Sequence, residues 1–205
     1  LERVPRYLTH ERAILHRLAE QGGETPGDFR AALETLPQNL QRLFVHAAQS
    51  YAFNRIVSER LSRGLPLTEA RPGDVVCFTE TVSGLTVPDQ HRTQAVAADQ
   101  VETVNRHVER GRAFVTAPLV GTETRLADGE PGEVERAVLD ALDLAPADFD
   151  LPDPFDSTGT RRAVVVRTKL DQDRDPLRFA FTLPRGSYAT VVLREYLKTD
   201  PEELA

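Results

Sequence analysis

Apolar residues recur at helical spacing from the start of the chain. Between Thr9 and Gln21, Ile14, Leu15 and Leu18 fall on one stripe, and Gly22-Gly23 stops it. Thr25 followed by Pro26 starts a second helix, with Phe29, Ala32, Leu33 and Leu36 on its inner side before Pro37. The pattern predicts a third and longest helix from about Asn39 to Arg63, closed by Gly64. These three helices make up the first third of the chain.

The period then changes. Gly73-Asp74-Val75-Val76-Cys77-Phe78-Thr79 is a β-branched run between turn residues and reads as a strand. A helix is expected from about Arg92 to Arg110, with Ala97, Val101, Val104 and Val108 on one stripe and Gly111 closing it. Arg112 to Val120 reads as a strand and Glu133 to Leu142 as a short helix. The Pro/Asp-rich stretch from Ala145 to Pro154 reads as a linker. Beyond it, Arg162 to Thr168 is β-rich, and Leu177, Phe179, Phe181 and Leu183 alternate with polar or small residues as a half-buried strand. Asp171 to Pro176 suits the hairpin loop between those two strands, and a last helix runs to about Lys198. The fold class is α+β.

Composition narrows the function classes. The 205 residues are 40% hydrophobic and 28% charged, with no apolar run long enough for a membrane helix, so no membrane is expected as partner. A single cysteine, Cys77, excludes a disulfide framework and a multi-cysteine zinc site, and no signal peptide opens the chain, so a cytoplasmic protein is expected. There is no methionine, at position 1 or elsewhere, which reads as an excerpt or processed fragment. Asp and Glu number 32 against 25 Lys and Arg, of which only Lys169 and Lys198 are lysines, for a net charge of −7. That acidic, arginine-over-lysine balance fits a salt-adapted or GC-rich source, and it leaves room for nucleic acid only at a local basic face.

Two segments carry candidate chemistry. At about 100° per residue, Arg42, His46, Gln49, Phe53 and Arg60 share one face of the long helix, opposite Leu40, Leu43, Phe44, Ala47, Tyr51 and Leu61. An aromatic among arginines, a histidine and a glutamine suits a surface that stacks a base and holds its phosphates. The plainer reading of the same face is that it packs on a second domain with Phe53 as its apolar anchor. Asn54 points into the apolar arc, where its amide needs a loop backbone or a substrate as partner. In the second segment, Pro184-Arg185-Gly186-Ser187-Tyr188, the glycine allows close backbone approach and Ser187 can cap the helix that follows. The open N–H groups there make an anion-binding spot, or an ordinary strand-to-helix turn. The five histidines show no metal-ligand spacing, G-x-S-x-G is absent, and Cys77 reads as core. The acidic loop Asp171 to Asp175 reads as a solvated turn.

The stretches Leu43 to Leu61 (LFVHAAQSYAFNRIVSERL) and Phe179 to Glu195 (FAFTLPRGSYATVVLRE) resemble, in order and spacing, the two signature stretches of the tRNA pseudouridine synthase D (TruD) family. Ala113 to Gly121 is similar to the family's strand ending in Pro-Leu-x-Gly. The resemblance implies a pseudouridine synthase domain of mixed sheet interrupted by an inserted α/β domain. Residues 1–152 would be the insert and 153–205 the returning antiparallel strands and helix of the catalytic domain. It implies an isomerase that turns a uridine in tRNA into pseudouridine through an aspartate nucleophile, without cofactor.

In the family that aspartate lies in a Lys-Asp motif, followed by Asn-x-Phe-Gly. Neither motif occurs here, and Lys169-Leu170-Asp171 is no substitute, because a nucleophilic carboxylate should be buried and ion-paired rather than on an exposed turn. No catalytic residue is therefore assigned to this chain, and the catalytic part is expected in a missing N-terminal portion. The resemblance makes Arg185, Gly186, Ser187 and Tyr188 walls of the cleft and turns Arg42, His46, Gln49 and Phe53 toward the cleft or the RNA. Asn54 and Arg194 complete the candidate set. The competing expectation is a freestanding, non-catalytic RNA-binding module.

Overall fold

The computed structural model describes residues 4–82, 85–184 and 186–198. Its elements run α1 (Thr9–Gln21), α2 (Pro26–Leu33), α3 (Gln38–Ser62), β1 (Val75–Val82), β2 (Leu85–Ala95), α4 (Val101–Glu109), β3 (Ala113–Leu119), α5 (Gly129–Ala141), β4 (Thr160–Ala163), β5 (Leu170–Arg174), β6 (Leu177–Phe181) and α6 (Ala189–Leu197). The class is α+β, as expected. The first three helices obey the stop and start signals of the sequence. Gly22, at φ +99°, ends α1 by donating its N–H to the Leu18 carbonyl. Thr25 caps α2 in a reciprocal box with Asp28, whose exposed carboxyl is held below its usual pKa by the backbone N–H and hydroxyl of Thr25 and the N–H of Glu24.

The chain divides into two compact units. The first comprises Leu1–Glu59, Pro118–Leu126 and Glu133–Arg161, around a core of Val45, Ala52, Val120, Leu139, Phe149 and Phe155. The stretch read as a linker is thus bound into this core by Phe149 and Phe155. Residues 121–124 lie against 157–159: Thr122 N–H donates to the Ser157 carbonyl and Glu123 N–H to that of Thr158. At Gly121 a Cβ would stand 2.1 Å from the Gly159 nitrogen, so this crossing requires glycine. Arg161 extends from the same place to Glu135 and to the Arg125 carbonyl.

The second unit comprises Arg60–Ala117, Ala127–Gly132 and Arg162–Ala205. Its core gathers Ala70, Val76, Val96, Val104, Val108, Ala113 and Val115. Strands are ordered β2-β1-β3-β4, with β1 antiparallel to both β2 and β3. Here two sequence expectations are corrected. Residues 92–95, assigned to the start of a helix, complete β2, and α4 begins only at Val101. The polar run Pro88 to Gln94 had hidden the strand, whose pairing to β1 is long-range and invisible to local periodicity. The partner of β6 is Leu170–Arg174, within the supposed hairpin loop, and the turn shrinks to Asp175-Pro176. Hydrophobic patterning missed β5 because most of it is exposed and polar.

Pairing along β1 and β2 is irregular. Cys77 faces Thr93 and Thr79 faces Pro88, so two residues of β1 span five of β2 and the segment Asp89 to Arg92 is thrown out as a bulge.

Candidate nucleic-acid interface

The long helix α3 turns the faces of the first signature the opposite way from the hydropathy reading. Its buried stripe is Gln41, Val45, Gln49, Ala52, Phe53, Ile56 and Arg60, while Leu43, Phe44, Tyr51 and Leu61 are exposed. Gln49 is 4% exposed and Phe53 9%, so neither stands on an open RNA-stacking surface, and both pack inward, as the packing reading of that face expects. The physical reason is polar satisfaction. Gln49 Nε2 donates to the Val120 carbonyl and to Ser157 Oγ, both at 2.7 Å, which holds α3 to the loops that meet at Gly121. Arg60 is likewise internal: its guanidinium grips the Asp74 carboxylate in a fork of 2.7 and 2.9 Å and donates to the Pro66 carbonyl at 3.0 Å. Asn54, expected within a buried arc, is exposed instead.

Arg42 and His46 remain at the surface. With Val45, Asp156, Ser157 and Thr158 they line a pocket of about 310 Å³, and Arg42 stands 3.7 Å from the Asp153 carboxylate.

The second signature lies open. Arg185 is outside the described residues. Gly186 has φ +84°, the left-handed backbone that favours glycine, and its carbonyl accepts a hydrogen bond from the Arg162 guanidinium. Pro184 and Ser187 line a groove of about 440 Å³ with Thr86, Val87, Pro88, Arg162 and Arg167. Pro184 and Arg167 also border a second groove of about 640 Å³, lined by Thr168, Lys169, Phe181 and Thr182. Tyr188 is 69% exposed beside them. Two expectations shift. Tyr188, not Ser187, is the N-cap residue of α6, and it makes no side-chain cap bond, while Ser187 donates its N–H to the Pro184 carbonyl. Arg194 is half-buried on α6 and lines neither groove.

Sequence reasoning missed Arg162, Arg167 and Lys169 as groove residues. Their signal was a basic run just ahead of the second signature, but only the pairing of distant strands brings Thr86 to Pro88 opposite it. Among the described residues no group of three His, Cys, Asp or Glu side chains gathers to hold a metal ion, and no helix is long and apolar enough to cross a membrane. Cys77 is buried in the sheet, where loss of solvent pushes its thiol up to about 11, so it is a core residue rather than a nucleophile.

Comparison with known proteins accords with this arrangement. The family model described as tRNA pseudouridine synthase D (TruD) matches residues 1–196. A relative in Halobacterium salinarum bearing the name tRNA pseudouridine synthase D is 58% identical over 98% of the chain, and one in Natronomonas pharaonis is 61% identical over 100%. A crystal structure titled as tRNA pseudouridine synthase D from Methanosarcina mazei superposes with a TM-score of 0.82 at 39% identity, covering 99% of this chain and 47% of its own. The chain spans 46% of the length of both curated relatives.

Proposed function

Since the chain belongs to the tRNA pseudouridine synthase D family, we propose that it is part of an enzyme isomerising a uridine in tRNA to pseudouridine. Its own share is to grip the RNA and wall the cleft around the target nucleotide. The observation that carries this reading is the groove that Pro184 and Ser187 line together with Arg162 and Arg167. A splayed-out nucleotide needs a concave site with positive charge for its phosphate and polar edges for its base. Pro184, Ser187 and the β2 residues Thr86 and Val87 shape that concavity, and Arg162 braces the turn through the Gly186 carbonyl.

The reaction breaks the bond from the sugar to N1 and forms one from the same carbon to C5, with no net oxidation, so it calls on no redox cofactor. The attacking carboxylate is supplied from outside these 205 residues, which contain neither the Lys-Asp nor the Asn-x-Phe-Gly motif. Residues 1–152 then act as the family's inserted domain and 153–205 as the end of its catalytic domain, working on cytoplasmic tRNA. With a net charge of −7, the chain's affinity must rest on local arginines and stacking rather than on an overall basic surface.

The test uses a tRNA transcript carrying uridine tritiated at C5, which releases tritium when pseudouridine forms. The 205-residue chain alone binds the transcript and releases none, while a protein extended to the length of the relatives releases it. Tritium release by the chain alone would place the nucleophile within it. Binding without release even in the extended protein would favour a non-catalytic RNA-binding module.

A further inference from the structure

The second unit carries a group of arginines that the groove does not use. Arg106 and Arg110 lie on α4 and at its C-cap, Arg112 precedes β3, and Arg92 closes the bulge of β2. All four are exposed. Ring and backbone contacts bring Arg92 onto α4 and the start of β3. The Arg92 guanidinium lies over the Phe78 ring at 5.4 Å, and that ring meets His107 edge-on at 6.2 Å. Phe78 pairs across strands with Ala113, next to Arg112, whose carbonyl accepts from the Thr79 hydroxyl.

Ordinary structural duties do not account for the cluster. A cation at a helix C-terminus satisfies its last carbonyls and dipole, but that role is filled by Arg167, which donates to the Val108 and Glu109 carbonyls at 2.8 and 2.9 Å. Arg106 bonds only locally, to the Thr103 hydroxyl. Carboxylates share these elements at Glu80, Asp89, Glu102 and Glu109, yet among the described residues none forms an ion pair with the four arginines. The four exposed guanidiniums therefore have no carboxylate partner among the described residues and stand open to an anionic ligand.

Arg167 supplies the direction. Its side chain borders both grooves with Pro184 while its guanidinium sits on the end of α4. The arginine cluster is therefore continuous with the groove. We propose that Arg92, Arg106, Arg110 and Arg112 form a phosphate-binding track that holds the RNA backbone flanking the nucleotide in the groove. This rests on the RNA-binding reading above and extends it to a surface with a defined ligand, the sugar-phosphate backbone rather than the bases.

The experiment measures binding of an unmodified tRNA transcript to the 205-residue chain between about 50 and 200 mM salt, where each phosphate contact contributes a slope of about 0.9 in log K against log salt. The double variant Arg106→Gln/Arg110→Gln should bind about tenfold more weakly at low salt and lose about 2 from the slope. The matched pair Arg6→Gln/Arg30→Gln, removing the same charge from the exposed surface of the other unit, should leave the slope unchanged. Circular dichroism checks folding, and Arg92→Gln/Arg112→Gln repeats the test independently if the first variant is disordered. A parent that binds while the cluster variants keep its slope, or an equal loss in the matched pair, overturns the track and leaves the RNA-binding reading standing. A parent with no affinity for the transcript overturns both.

Discussion

The first signature stretch, residues 43–61, turns Gln49 and Arg60 inward, and the second, residues 179–195, sets Pro184 and Ser187 along a groove and leaves Gly186 and Tyr188 exposed. Gln49 fastens α3 to the Val120 carbonyl and Ser157, and Arg60 closes on Asp74 away from water. By contrast, Ser187 and Pro184 line an open groove and Tyr188 is largely exposed. Two segments that look alike as family signatures therefore do different work. One builds the frame that sets loop positions, and the other lines an open groove.

The contrast can be broken at either end. The largest effect is expected at the buried ion pair: Asp74→Ala strands the Arg60 guanidinium in a site only 6% exposed and should lower unfolding free energy by about 3–5 kcal/mol in urea denaturation. Gln49→Ala leaves the buried Val120 carbonyl without its donor, and a loss of about 1–3 kcal/mol is expected by the same measurement. Tyr188→Ala and Ser187→Ala should sit within about 0.5 kcal/mol of the parent, as exposed or half-exposed positions do, while weakening binding of a tRNA transcript in a filter assay. A stability loss there as large as at Gln49 would erase the distinction between frame and groove.

The smallest effect concerns Cys77. Burial raises its thiol to about 11, above the ordinary value near 9, so the reactive thiolate is scarce at neutral pH and iodoacetamide should label the native chain far more slowly than the urea-unfolded one. The sign follows from burial: the neutral thiol is favoured in the fold, so the stability Cys77 contributes is fully present at neutral pH and is lost as pH rises from the unfolded value near 9 to about 11, where the folded thiol also ionises.

Much of the fold was legible along the chain. The bounds of α1, the Thr25 cap of α2 and the length of α3 follow from local signals: glycine stops, a capping pair and an unbroken apolar period. The site was legible only in part. In the second signature Pro184 and Ser187 line a groove, and Arg42 and His46 line a pocket in the first unit, while Gln49 and Phe53 are buried and Asn54 exposed, the reverse of what the apolar arc of α3 suggests for Gln49 and Asn54. Hydropathy assigns Leu43, Phe44 and Tyr51 to the inside and Gln49 to the outside, yet a buried amide with two partners is satisfied, and an apolar side chain can stay at the surface.

The chain's own order of residues determined its class, its first three helices, its acidic and arginine-rich character and its membership of the family, because each of these depends on neighbours within a few turns or on composition. Tertiary structure alone decided which side of α3 faces the core, that residues 85–95 and 170–174 are strands, and that Arg162 and Arg167 line a groove with Pro184 and Ser187. Those outcomes depend on pairings between residues far apart in sequence, where the partner that satisfies a carbonyl or a guanidinium is unknown until the backbone has folded around it.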